Sequence, residues 1–401
     1  MKKILSIFMV AILASILVAC GNNESSVVIS KLYGASSQSN NVIELYNNSD
    51  EDESLDDYVI NVYGNGSKEV TKTITLKGTI KANDYFVITG STASNDMVLS
   101  ASDFEYEDGS LPFNGDDALQ LVKNDTIIDT VGTIGIDVSF VDELTLIRLG
   151  EVEDYKPEAE YYAFNFITYI PEVFEYLKND DYEIKTLEAL YEGPQLEDRF
   201  DDLPYVDPEN DSIGAGGYVE TSVSGIADGD TAYFVGKDGF AGGSVRYYYI
   251  NTPEVDGSYV NAEPWGYVAS KYNKEYLLVD ASEKDIYVQS IPGISLTETN
   301  SRSLGLIWVN GALSQFLIVS EGLTEDVGST YGAYDLILTY KQVPYLTFLR
   351  FAEERARLNG WGVHGYPSNP DGEKAPDWNY QANAKTTSNP VWTPHLELPW
   401  A

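Results

Sequence analysis

The residues best suited to chemistry fall into three short stretches in the second half of the chain. The first is the turn Asp228-Gly229-Asp230-Thr231, which places two carboxylates around a glycine. The second begins at Arg246, which opens an apolar aromatic run, and ends at Asn251-Thr252-Pro253-Glu254. The third is Arg302, which precedes another apolar run. These groups form a site only if the fold brings the three stretches together.

Side chains of these types suit a phosphodiester substrate. Guanidinium groups form paired hydrogen bonds to phosphate oxygens, and a hard cation such as Ca²⁺ binds carboxylate, amide and carbonyl oxygens. A carboxylate near that cation can take a proton from water and act as a general base. The residue types therefore predict a site that binds and cleaves phosphate esters.

The order and spacing of the three stretches resemble the thermonuclease (micrococcal-nuclease-like) family. That family has an Asp-Gly-Asp-Thr turn, then Arg-x-x-x-x-Asp-Thr-Pro-Glu, then an arginine that opens a later strand. The resemblance covers residues 218–362 and includes a helix that begins near Pro264 and a closing helix that ends near Leu358. It implies an oligonucleotide/oligosaccharide-binding (OB-fold) β-barrel of five strands, with helices.

The catalytic residues that the resemblance implies are Arg246, Glu254 and Arg302. Glu254 would act as the general base that turns a water toward phosphorus. The two arginines would bind phosphate oxygens and stabilise the charge that develops in the transition state. The implied substrate is DNA or RNA.

The cofactor that the resemblance implies is Ca²⁺. Asp230 would supply a carboxylate ligand and Thr252 its backbone carbonyl, while Asp228 would support the site without touching the ion. Asn251 stands where the family usually has Asp. An amide oxygen can still bind Ca²⁺ but brings no charge, so we expect a weaker cation site.

Residues 27–180 form a separate all-β domain in this interpretation. Short runs of alternating character, separated by Gly, Asn and Asp turns, predict a β-sandwich. The runs at 41–47 (NVIELYN) and 113–121 (FNGDDALQL) resemble the lamin-tail domain. That resemblance implies an immunoglobulin-like fold and a role in binding or attachment.

The first 19 residues predict a lipoprotein signal peptide. Lys2 and Lys3 precede an apolar segment too short for an ordinary membrane span, and the segment ends at Cys20, the only cysteine of the chain. This resembles a bacterial lipoprotein signal, in which the thiol is acylated. We therefore predict an extracytoplasmic protein held to the cell membrane by lipid on Cys20, with residues 20–26 as its tether. The alternative is a plain secretory signal with a chance cysteine.

Two further segments carry no catalytic motif. Residues 181–217 are acidic and contain prolines and glycines, so they predict a linker. Residues 363–401 are rich in Pro, Asn and Trp and predict a tail on the surface. Trp378, Trp392 and Trp400 either pin this tail to its own domain or stack on sugar or base rings.

The charge of the chain is strongly acidic. It has 25 Lys and Arg against 63 Asp and Glu, a formal net charge of −38. Residues 218–362 hold 10 basic and 18 acidic side chains, a net charge of −8. Since such a field repels polyphosphate at long range, this charge counts against a nucleic-acid substrate.

Together these features predict a mainly β chain of two domains, an immunoglobulin-like sandwich of lamin-tail type followed by an OB-fold barrel of thermonuclease type. The predicted function is Ca²⁺-dependent hydrolysis of extracellular DNA or RNA. One alternative is a non-catalytic surface lipoprotein, for binding or adhesion, that keeps a degenerate barrel. Another is an enzyme whose cation site is rebuilt around Asn251.

Overall fold

The computed structural model describes residues 25–257, 261–298, 300–324, 326–328, 335–365 and 390–400. The predicted signal peptide, Cys20, most of the tether and Trp378 lie outside these residues. Within the described part of the chain, no helix is both long enough and apolar enough to cross a membrane.

The first domain is a β-sandwich, as predicted. Its elements are β1 Val27–Gly34, β2 Val42–Asn47, β3 Glu53–Ser54, β4 Tyr58–Tyr63, β5 Lys72–Thr75, β6 Thr79–Ile80, β7 Tyr85–Gly90, α1 Asp96–Ala101, β8 Phe104–Tyr106, β9 Ala118–Lys123, β10 Thr126–Val131, β11 Leu144–Arg148 and β12 Phe166–Tyr169. One sheet has the order β12-β11-β1-β2-β7-β8 and the other β10-β9-β4-β5. In β4, Tyr58, Ile60 and Val62 are buried and alternate with partly exposed residues, the period expected for a strand with one face on a core.

A buried ion pair joins the sandwich to the chain that leaves it. Lys31 Nζ lies 2.7 Å from Glu44 Oε1, and the two side chains are 1% and 0% exposed. Lys31 also donates to the carbonyl of Asn179 at 3.0 Å, and the amide of Lys178 donates to Glu44 at 2.7 Å. Because buried charges need such partners, residues 178 and 179 are held against the central strands.

The segment 181–217, predicted as a linker, is packed against the second domain. It contains α2 Leu187–Glu192, β13 Val206–Asp207 and β14 Asn210–Gly214. Leu190 and Phe200 are fully buried. The amide of Gly214 donates to the carbonyl of Ile294 at 2.9 Å, which fixes the glycine-rich end of the segment.

The second domain is a closed barrel. Its strands are β15 Tyr218–Glu220, β16 Val223–Ile226, β17 Thr231–Phe234, β18 Gly243–Tyr247, β19 Ile286–Gln289 and β20 Ser303–Val309, with the short β21 Ala312–Leu313 paired to β20. The sheet order is β15-β19-β20-β18-β17-β16, and only β18 and β20 in that order are parallel. Thr221 and Ser222 separate β15 from β16. The amide of Thr221 donates to the carbonyl of Ile286, and the carbonyl of Ser222 accepts from the amide of Val235, each at 2.9 Å. One nearly continuous strand therefore joins the two edges of the sheet.

Helices and two short strands complete the second domain. They are α3 Gly266–Lys271 with the π-helical turn Tyr272–Leu277, α4 Ser314–Ser320, β22 Thr339–Tyr340, β23 Val343–Pro344 and α5 Tyr345–Asn359. In the tail, Trp392 is buried and its ring meets the ring of Tyr272 edge-on at 5.9 Å. Trp392 therefore pins the described end of the tail to the barrel, one of the two roles considered for it.

The sandwich and the barrel share a hydrophobic core. A single cluster of buried apolar residues includes Ile167 of β12 and Phe348 of α5. The ring of Phe164 meets Phe351 edge-on at 5.1 Å, and the amide of Ile170 donates to the carbonyl of Gln342 at 3.0 Å. The two domains are therefore in contact through side chains and backbone.

We predict that the two domains unfold in one transition. Phe351→Ala removes a buried ring from the shared core and should lower the free energy of unfolding by about 3–5 kcal/mol. All six tryptophans follow residue 218, so fluorescence reports the barrel, while hydrogen exchange in β1 and β2 reports the sandwich. The free energies of unfolding obtained from the two signals should fall by the same amount. A shift confined to fluorescence would show that the domains are independent.

Candidate active site at one end of the barrel

Strand register brings the three chemically interesting stretches to one end of the barrel. Thr231 of β17 pairs with Arg246 of β18, and Arg246 pairs with Leu304 of β20. Asp230 therefore lies just before β17, and Arg302 lies two residues before Leu304, beside the same strand ends. The stretches are far apart in the sequence and adjacent in the fold.

Asp230 is the buried centre of this group, with 1% of its surface exposed. Its Oδ2 accepts hydrogen bonds from the amide of Thr252 at 2.6 Å and from the Thr252 hydroxyl at 3.1 Å. Its Oδ1 accepts bonds from Arg246 Nη1 and from the hydroxyl of Thr231. Both carboxylate oxygens are thus held by the protein.

Arg246 links Asp230 to Asn251. Its Nη1 donates to Asp230 Oδ1, its Nη2 donates to Asn251 Oδ1, and the guanidinium is almost fully buried. The carbonyl of Asn251 accepts a bond from the hydroxyl of Thr324 at 2.8 Å. The arginine therefore contacts both side chains to which the thermonuclease resemblance assigns the cation.

The backbone around Glu254 is fixed by close packing. The amide of Glu254 donates to Glu263 Oε2 at 2.9 Å. A Cβ at Gly266 would lie 2.0 Å from the carbonyl oxygen of Glu254, so any larger residue would displace this loop. A Cβ at Gly229 would lie 2.6 Å from Thr252 Oγ1, which explains the glycine in the acidic turn.

The pKa of Glu254 shows which charges surround it. Burial raises the pKa most, and the negative charge of Asp228 raises it further. The positive charges of Arg246 and Arg302 lower it. Glu254 thus shares an electrostatic environment with both arginines that the sequence singled out.

Arg302 is held by Glu298, a residue that the sequence interpretation missed. Arg302 Nε donates to Glu298 Oε1, and the hydrogen bond raises the pKa of Arg302. Glu298 is 12% exposed and Arg302 30% exposed. The i,i+4 spacing of the two residues was the available signal, although it lies in a loop and not in a helix.

Asn273 was also missed. It is fully buried in the π-helical turn, donates to the carbonyl of Asp228 at 3.0 Å and accepts a bond from the hydroxyl of Tyr247 at 3.1 Å. It therefore fixes the acidic turn against β18. The sequence predicted one continuous helix here, and a polar residue on its buried face was the signal available.

The residues assigned to the cation offer oxygen atoms, the type of ligand that a hard cation prefers. The carboxylate of Asp230, the amide oxygen of Asn251 and the backbone carbonyl of Thr252 belong to residues already joined by hydrogen bonds. Among the described residues, no group of three or more His, Cys, Asp and Glu side chains is arranged to hold a metal. With a single buried carboxylate shared with Arg246, we expect low affinity for Ca²⁺.

Comparison with protein families concerns the first domain. Residues 21–135 match the Lamin Tail Domain family. The match spans β1 to β10, so the lamin-tail resemblance of this part is confirmed, and it ends before β11 and β12, which complete the six-stranded sheet. The barrel lies outside the matched residues. No curated protein matches the chain.

We predict that Asp230 makes stability depend on pH. Burial raises its pKa to about 7, while the charge of Arg246 opposes that shift. The unfolded value is about 3.9, so between about pH 4 and 7 the folded protein keeps a proton that the unfolded chain releases. This group therefore makes the free energy of unfolding fall as pH rises through that window.

The measurement is denaturant unfolding of the unsubstituted protein and Asp230→Asn from pH 4 to pH 8. The free energy of unfolding of the unsubstituted protein, taken relative to that of Asp230→Asn, should fall as pH rises to about 7 and then level off. Two parallel profiles would contradict the shifted pKa.

Proposed function

We propose that the barrel is a phosphodiesterase of thermonuclease type that hydrolyses DNA or RNA. The observation that carries the proposal is the hydrogen bond of Arg246 to the buried Asp230, at the barrel end to which strand register also brings Arg302. Glu254 lies in the loop that directly follows Thr252, whose amide donates to the same Asp230. The closed barrel with one parallel strand pair supports the OB-fold assignment. The position of α3, directly after the Glu254 loop, supports it as well.

In this mechanism the protein groups bind the phosphate and move one proton. Arg302 is anchored through Nε to Glu298, and its guanidinium has further N–H groups that can donate to a phosphate oxygen. Arg246 adds a second positive charge, which stabilises the five-coordinate transition state. Glu254 takes the proton of the attacking water as the bond from phosphorus to the leaving oxygen breaks, and burial raises its pKa, which makes it a stronger base.

We propose Ca²⁺ as the cofactor, with Asp230, Asn251 and the carbonyl of Thr252 as its ligands and Asp228 beside them. When bound, the ion would add positive charge for the phosphate and lower the pKa of a bound water. Asp230 must lose its proton before it can act as a ligand, so its raised pKa links cation binding to pH.

We predict that Glu254 and Arg302 each contribute to the rate of hydrolysis. Glu254→Gln should lower the rate of DNA or RNA hydrolysis by about 10²–10⁴-fold, because the general base is lost. Arg302→Ala should lower it by about 10²–10³-fold. Rates are measured on the purified full chain with added Ca²⁺ and with chelator.

The matched control is Glu220→Gln, an exposed glutamate on β15 that pairs with Lys237. It should keep the activity of the unsubstituted protein. Undiminished hydrolysis by Glu254→Gln would remove the assigned base. An unsubstituted protein without activity on either nucleic acid would favour the non-catalytic alternative.

We predict that a second carboxylate strengthens the cation site. Asn251→Asp should bind Ca²⁺ more tightly, so that added Ca²⁺ raises its melting temperature more than that of the unsubstituted chain. In both proteins the affinity should rise with pH up to about 7, because a proton on Asp230 competes with the ion. Asn210→Asp adds the same charge on the β13–β14 hairpin and serves as control. Equal responses of the two variants would refute a cation site at residue 251.

We propose that the chain is lipid-anchored outside the cytoplasmic membrane through Cys20, and that the first domain is a binding or attachment module. The sequence around Cys20 supports the anchor, and the lamin-tail match supports a separate role for residues 21–135. The unsubstituted protein should incorporate labelled fatty acid in cells, and Cys20→Ser should abolish the incorporation. An unsubstituted protein that takes up no fatty acid would exclude the lipid anchor.

A further inference from the structure

A cavity of about 550 Å³ lies between the sandwich and α5. Its aromatic lining comes from both domains: Phe140, Tyr161, Phe164, Phe166 and Phe351. Cavities of this size, mainly apolar and placed where two domains meet, are typical of small-molecule sites. The cavity shares no lining residue with the candidate active site.

The rings are arranged in two groups. Phe140, Tyr161 and Phe166 follow one another with centroids 5.9 and 6.0 Å apart. Phe164 of the sandwich and Phe351 of α5 form the second group, edge to face at 5.1 Å. Aromatic faces of this kind stack on flat heterocycles, and they do so with little preference for one base over another.

The polar groups of the cavity carry opposite charges. Arg350 lines it from α5 and is partly buried, while Asp142 and Glu143 are exposed on the sandwich side. The two carboxylates disfavour a phosphate, and the guanidinium disfavours a permanently cationic ligand. An uncharged ring with both hydrogen-bond donors and acceptors can satisfy both sides.

We propose that this cavity binds a nucleoside, and that it binds the nucleoside more tightly than the corresponding nucleotide. The amino group of the base can donate to the carboxylates, its ring nitrogens or carbonyl can accept from Arg350, and its faces can stack on the aromatic side chains. The choice of a nucleoside among flat heterocycles rests on the proposed function, since hydrolysis of nucleic acid followed by loss of phosphate yields this class of molecule.

The test is calorimetric titration of the full chain carrying Arg302→Ala, so that the monophosphates lose the phosphate-binding arginine of the candidate active site. The probes are adenosine, guanosine and cytidine, each beside its 5′-monophosphate, with ribose and indole as reference ligands. At least one nucleoside should bind about tenfold more tightly than its monophosphate, a difference of about 1.4 kcal/mol. Failure of all three nucleosides to bind, or equal binding of indole, would overturn the proposal.

Two neighbouring tyrosines give a matched pair of variants. Tyr161 lines the cavity, whereas Tyr162 does not line it and donates to Glu354. Tyr161→Ala should weaken nucleoside binding about tenfold through lost stacking. Tyr162→Ala should have a much smaller effect, because Tyr162 reaches the cavity only through its ring contact with Phe164. Equal effects of the two substitutions would count against the cavity.

A charge variant gives a readout that does not depend on removing a ring. The double substitution Asp142→Asn with Glu143→Gln should narrow the difference in affinity between a nucleoside and its monophosphate, because the two carboxylates no longer repel the phosphate. An unchanged difference would contradict the assigned role of the two carboxylates. Binding in a protein that shows no hydrolysis would leave this inference standing while the proposed function fails.

Discussion

The buried carboxylate of Asp230 is the interaction on which the barrel end depends. It accepts bonds from β17, β18 and the loop that carries Thr252, so three segments remote in sequence meet on two oxygen atoms. A charge that is 1% exposed would be costly without these partners. Removal of Asp230 would leave these donors without their acceptor, so the geometry of the site and the stability of this end of the barrel are linked.

The same arrangement explains how Asn251 is accommodated. One guanidinium, that of Arg246, donates to a carboxylate on one side and to an amide oxygen on the other. When Asp230 is ionised, one positive charge against one negative charge leaves the group neutral in the absence of other ions. A second carboxylate at 251 would leave an excess negative charge, which a cation would have to balance. The residue at 251 thereby sets how strongly the site needs a cation.

The sequence predicted the local structure of the barrel well, because each element carries its own signal. The apolar run through Arg246 and the helix at 345–359 are recognisable from periodicity and from the glycine that follows. The grouping of Arg246 with Arg302 depends on strand register, which the sequence alone does not specify. It was expected from the resemblance to thermonucleases and not from spacing.

Contacts between distant segments account for what the sequence did not reveal. Residues 181–217 have the composition of a linker, yet Leu190, Phe200 and Tyr205 are buried, because a few apolar residues are enough to anchor an acidic segment. Asn273 looks like an ordinary helical residue until a π-helical turn directs it to Asp228 and Tyr247. The contact of Phe164 with Phe351 joins residues almost two hundred positions apart, and no local pattern predicts such a pair.

The shared core of the sandwich and the barrel has a mechanical consequence. A lipid on Cys20 would be joined to β1, which begins at Val27, by a stretch that spans no more than about 25 Å when fully extended. Because the two domains are packed together, we expect the end of the barrel that carries Asp230 to move with the sandwich. If the chain is anchored as proposed, the distance from the membrane to this end of the barrel would be limited by the length of that stretch and by the dimensions of the folded chain.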